Sequence, residues 1–148
     1  MSRLLTSGLA ALAMLSCATV AQAIDYRSVT APALLYDTPS EQGKPLYIIA
    51  AGTPVEVVVA TDKWIKVRDA SGAITWISSN ALGKERMVIV TAQRTQIRQR
   101  PQTDAPVVFE AEKNLVLHMT SQPTDGWVQV RHTDGSSGYI RIMDIWGA

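Results

Sequence analysis

Trp64-Ile65-Lys66-Val67-Arg68, followed by Gly72 and Trp76-Ile77, returns later in the chain as Trp127-Val128-Gln129-Val130-Arg131, Gly135 and Tyr139-Ile140. The spacing is 63 residues at each of these positions. Upstream, Val29-Thr30-Ala31 matches Val90-Thr91-Ala92 at an offset of 61, and Pro39 matches Pro101 at 62, so loop insertions such as Gln122-Pro123 absorb the drift. Self-similarity at a fixed period marks two tandem copies of one module. The break falls in Gly83-Lys84-Glu85-Arg86, a charged stretch opened by a glycine and free of apolar side chains. The expected organisation is a first module over 24–83, a short linker over 84–86 and a second module over 87–148. Modules of roughly 60 residues bury only about 60% of their unfolded surface, so the two are expected to pack on each other.

Inside each module the apolar period is two. Val55-Glu56-Val57-Val58-Val59, Trp64 to Arg68 and Ile74 to Ile77 are short β-branched runs bounded by Gly, Pro, Asp and Ser. Nothing after residue 24 has helical periodicity. Asp69-Ala70-Ser71-Gly72 and His132-Thr133-Asp134-Gly135 have the composition of tight hairpin loops in which the glycine takes a positive φ. The fold class is therefore all-β, each module about five short strands closing into a small barrel that leaves no apolar edge such as Val55 to Ala60 unpaired.

Met1 to Ala23 has a different character. One early charge, Arg3, precedes an apolar run from Leu4 to Val20 diluted by Thr6, Ser7, Gly8, Ser16 and Thr19, and the segment ends Ala21-Gln22-Ala23. That is the pattern of a signal peptide with an A-x-A cleavage site, too short and too weakly apolar for a span of about 20 residues. A lipoprotein leader with Cys17 as the lipidated residue is the minor alternative, and Leu15 before Ser16 fits it poorly. Cleavage after Ala23 makes the protein periplasmic or secreted, with no transmembrane segment in the mature chain. It also removes the one cysteine, and with it any disulfide, thiolate nucleophile or Cys-rich zinc site.

The 148 residues carry 14 Lys and Arg against 13 Asp and Glu, a balance that gives no field for nucleic acid or an anionic surface. Nor does the pattern assemble a catalytic centre. His118 sits in the strand-like run Leu115 to Met119 and His132 in a hairpin loop, neither with a nucleophile elbow or a metal-ligand spacing beside it. Glu110 and Glu112 share one strand face without the apolar surroundings that would raise a carboxyl pKa, and read as solvated edge charges. No catalytic residue, metal ligand or cofactor is expected.

Binding capacity comes from parity. Alternation puts Ile65 and Val67 on one face and Trp64, Lys66 and Arg68 on the other, and Trp127, Gln129 and Arg131 repeat this. An indole kept among charges in both copies is a candidate binding platform. A half-buried lid over the open end of a small barrel satisfies the same parity.

The run Trp64 to Arg68 with Gly72 and Trp76, and Gly126 to Arg131 with Asp134-Gly135 and Gly138-Tyr139-Ile140, resemble the bacterial SH3-like (SH3b) domain. Both copies also carry a version of that family's earlier hydrophobic-x-hydrophobic-Arg-x-Gly-Pro loop, at Ala33 to Ser40 and Thr95 to Gln102. The first copy departs further, with Tyr36 where Arg98 stands, and Thr38 or Arg100 replaces the usual glycine. The resemblance covers essentially all of the mature chain and implies two tandem SH3-like barrels that bind peptides or cell-wall components. It also implies which residues line a cleft: Tyr36, Trp64 and Trp76 in the first module, Arg98, Trp127 and Tyr139 in the second. Ala33-Leu34-Leu35-Tyr36-Asp37 looks like the ALYDY segment of eukaryotic SH3 domains, but Ser78 and Ala81 replace the Pro and Tyr that complete a proline-peptide groove. Arg94, Arg98 and Arg100 cluster in sequence, with Arg98 and Arg100 on one face, a pattern that suits a carboxylate and equally describes a solvated loop. The expectation is a non-catalytic exported protein binding peptidoglycan fragments or an envelope protein. The alternative is an envelope scaffold or homodimer with no wall ligand.

Overall fold

The computed structural model describes residues 22–148, so the expected leader and its Cys17 alternative lie, apart from Gln22 and Ala23, outside the described residues. The first module is built from β1 (Tyr26–Val29), β2 (Ala33–Tyr36), β3 (Pro45–Ile49), β4 (Pro54–Ala60), β5 (Trp64–Arg68), β6 (Ile74–Ser78) and β7 (Leu82–Gly83). The second repeats it as β8 (Met87–Val90), β9 (Arg94–Arg98), β10 (Val107–Glu112), β11 (Val116–Met119), β12 (Trp127–Arg131), β13 (Ser137–Arg141) and β14 (Ile145–Trp146). One 3-10 turn precedes the last strand of each, at Ser79–Ala81 and Ile142–Asp144. The strand orders, β3-β2-β6-β5-β4-β1-β7 and β10-β9-β13-β12-β11-β8-β14, are identical position by position. Two SH3-like barrels in tandem are therefore the fold.

Period two in the sequence becomes inside and outside in the barrel. Ile65 and Val67 of β5 are buried, as are Val128 and Val130 of β12, while their neighbours stay half-exposed or exposed. They join two separate cores, one around Leu35, Val55 and Ile77, the other around Ile97, Leu117 and Ile140. β4 pairs with β1 through Pro54–Glu56 and with β5 through Glu56–Ala60, so one strand carries the sheet round its corner. The Val55 to Ala60 run is thus paired along its length by β1 and β5, with Val55 buried in the core and Val58 and Val59 left 40% and 45% exposed. Among the described residues closure is not complete, because the hydrogen-bonded ladder ends at β3 and β7 in one module and at β10 and β14 in the other. Edge β10 exposes Glu110 and Glu112, paired with Arg94, as charge guarding requires.

Gly72 and Gly135 have φ of 89° and 92°, the left-handed backbone their hairpins need. Gly138 answers a different demand, since a Cβ there would lie 2.5 Å from Ile97 Cγ2 and 2.6 Å from the Arg98 carbonyl. β13 crosses β9 at that point, and only a hydrogen fits. In the first module β3 is held to the β5–β6 turn by the Tyr47 hydroxyl donating to Asp69 at 2.7 Å. The modules meet at a seam where Tyr26 and Trp146 pack edge to face at 5.1 Å between centroids. Arg86 lies over the Tyr26 ring and donates to the Gly147 carbonyl at 3.0 Å.

Gly138→Ala is expected to lower stability by about 1–3 kcal/mol, the usual cost of forced overpacking, read from urea unfolding; an unchanged midpoint would show that β13 has slack. Asp69 supplies a pH test. Burial would push its carboxyl up, but hydrogen bonds from Ser71, Tyr47 and the Ser71 and Ala73 N–H groups outweigh this and hold it below the usual range. Burial, the bond to Asp69 and its charge push Tyr47 up to about 12. A lowered folded-state pKa means stability present above the unfolded carboxylate value and lost as pH falls through the folded value. Asp69→Asn should therefore flatten the acid side of the stability profile, measured as melting temperature against pH, and a parallel profile would refute that role.

Candidate functional site

On the outer face of the first barrel, β2, β6 and β5 lie side by side and their outward residues fall into register. Tyr36 is the partner of Trp76, Trp76 of Lys66, and Trp64 of Ser78. Tyr36 and Trp64 pack edge to face at 5.4 Å, and the Lys66 ammonium stands 5.6 Å from the Trp76 ring. Parity places all four on one surface, and none belongs to the buried core. A cleft of about 570 Å³ opens beside Trp64, between Pro39–Gln42 on one wall and Asp62–Lys63 on the other, with Ser78, Ser79 and Asn80 at its end. Of the three predicted residues only Trp64 lines it. Tyr36 buttresses that ring, and Trp76 lies further along the sheet.

The second barrel uses the same lattice with different chemistry. Tyr139 is the partner of Arg98 and of Gln129, and Trp127 of Arg141. Trp127 divides two clefts. One, of about 440 Å³, runs past Pro101, Gln122, Asp125 and Tyr139. The other, of about 380 Å³, is lined by Arg94, Gln96, Arg98, Glu110 and Arg141. The other two predicted residues flank the Trp127 indole, Arg98 in one cleft and Tyr139 in the other.

Two features of this face escape a reading of the repeat. Arg141 occupies the position of Ser78, so the first copy carries no trace of it. Beneath it the Asp144 carboxylate, 9% exposed, accepts from Thr95 Oγ1 at 2.7 Å and from Arg141 Nε at 3.1 Å. The equivalents of Thr95 and Asp144 in the first module are Ala33 and Ala81. Arg100, grouped with Arg98 in sequence, lies beyond the end of β9 and outside the cleft. His118 falls on β11 and His132 in the β12–β13 turn, 3.3 Å from Asp134.

Tandem small barrels with an aromatic outer face define the class, a double SH3-like chain. The family model described as bacterial SH3 domain matches residues 29–84 and 91–147, and the chain belongs to that family. Among solved structures it is similar to NlpC1 from Trichomonas vaginalis, at 18% identity, covering 94% of this chain and 51% of that one with a TM-score of 0.37. NlpC2 from the same organism matches at 16% identity over 84% of this chain and 48% of that one, TM-score 0.39. An NlpC/P60 family protein from Bacillus cereus ATCC 10987 matches at 16% over 82% and 55%, TM-score 0.38. The chain spans about half the length of these proteins. No curated protein matches it.

Because Trp64 and Trp127 lie half-buried outside the cores, truncating either to Ala is expected to cost about 1–2 kcal/mol, below the 3–5 kcal/mol typical of a core aromatic. Thermal melts beside Ile140→Ala, a fully buried control, check this; losses equal to the control would make the indoles core residues.

Proposed function

We propose that this chain is an exported, non-catalytic binding protein that recognises peptidoglycan through the outer faces of its two barrels. The observation that carries the reading is the half-exposed aromatic surface Tyr36, Trp64 and Trp76, with its counterpart Arg98, Trp127 and Tyr139. Large rigid rings beside a cleft supply contact area at small entropic cost, which suits sugar faces and short peptides. Bacterial SH3 domains commonly bind cell-wall material, and the Met1–Ala23 leader supports an extracytoplasmic site of action. Catalysis in such a system would belong to another domain or chain.

A second reading, an envelope scaffold, is favoured by one feature. Leu46, Tyr47 and Ile48 on edge strand β3 are 42%, 41% and 69% exposed, with Leu34 beside Ile48 at 44%. An uncharged apolar edge of this kind suits a protein contact.

The test is co-sedimentation with purified sacculi of the chain expressed with its own leader, alongside Trp64→Ala and Trp127→Ala variants checked for folding. Wild-type pelleting, weakened in both variants, is the expected outcome. Wild type left in the supernatant would exclude wall binding and turn attention to cross-linking at β3.

A further inference from the structure

We infer that the second barrel carries a carboxylate-binding site centred on Arg98, with Trp127 covering whatever bears the carboxylate. The inference rests on the reading of the outer face as a binding surface and concerns its chemistry. Arg98 is half-buried on β9 and its guanidinium is fixed by two neutral acceptors. Nη1 donates to the Ala105 carbonyl at 2.6 Å and Nη2 to Gln96 Oε1. Ala105 is itself buried, so the fork is anchored from behind. Two of the five N–H donors of a guanidinium are thereby engaged, and its charge is left uncompensated.

The neighbouring arginines differ. Arg94 faces Glu110 and Glu112 at 3.8 and 3.3 Å, and Arg141 faces Asp144 at 3.0 Å. Among the described residues Arg98 has no carboxylate within ion-pair distance. A partly desolvated, preorganised cation held by neutral groups gains most from an incoming anion. Glu110, the β10 partner of Gln96 and linked to it at 3.5 Å, lines the same cleft and opposes a second negative charge. The cleft thus favours one carboxylate over a phosphate dianion. The first barrel supplies an internal control, because Tyr36 and Ser78 replace Arg98 and Arg141 there.

The experiment follows the indole N–H signals by NMR, in the chain expressed with its own leader, during titration with acetyl-alanyl-alanine and with its C-terminal amide. The free acid should shift the Trp127 signal saturably and leave Trp64 unmoved. The amide should bind at least about tenfold more weakly, the worth of one charge-assisted hydrogen bond. Arg98→Gln, shown folded by its melting curve, should abolish the preference. A third probe, acetyl-glutamate amide, separates a side-chain carboxylate from a chain terminus by which acid binds more tightly. Equal shifts from acid and amide, no saturable shift from either acid, or a preference surviving in Arg98→Gln would each overturn the inference. Pelleting with sacculi keeps the two proposals apart. Retained pelleting without carboxylate preference removes the site alone, and carboxylate preference without pelleting removes the wall ligand and leaves the site.

Discussion

Strand register is the constraint on which everything else in this molecule depends. With Ile65 and Val67 pointing inward on β5, and Val128 and Val130 on β12, every residue between them is committed to the outside. A slip of one position would put Trp64, Lys66 and Arg68 into a core that accepts only aliphatic side chains, and would expose the aliphatics instead. The candidate platform is therefore a by-product of core formation. The barrel cannot fold in this register without presenting an indole to solvent at the start of its middle strand.

That dependence explains what could be read from the chain. Alternation, turn glycines and the 63-residue repeat are local or periodic signals, so the strands, the hairpins at Gly72 and Gly135 and the outward Trp64 and Trp127 were legible. What was not legible involves partners distant in sequence and absent from one copy. The Thr95–Asp144 bond spans 49 residues and replaces an alanine pair, so neither periodicity nor repetition marks it. Arg141 was hidden for the same reason. For Arg100 the solvated-loop alternative describes the outcome, since β9 ends at Arg98 and strand parity does not extend past it. Full ladder closure was expected from the danger of open edges, yet β3 stays open and apolar while β10 is guarded by glutamates.

The two copies keep their cores alike and diverge on the outer lattice. At equivalent positions Tyr36 corresponds to Arg98, Trp76 to Tyr139, Lys66 to Gln129 and Ser78 to Arg141. Aromatic contact dominates the first face and guanidinium chemistry the second. Such divergence is what a duplicated scaffold permits, since outward residues on a sheet carry little of the folding energy and are free to specialise.

The seam gives that specialisation a geometric meaning. Tyr26 against Trp146, with Arg86 over the Tyr26 ring and bonded to Gly147, joins the first strand of one barrel to the last residues of the other. Arg86 belongs to the linker by sequence but acts as a clamp, its Nε buried at the contact. Among the described residues that atom has no hydrogen-bond partner, a cost that the ring contact and the Gly147 bond offset. Barrels joined by these contacts are coupled through packed rings and a hydrogen bond in addition to the short linker, so a shift of one against the other has to break the Tyr26–Trp146 contact and the Arg86–Gly147 bond.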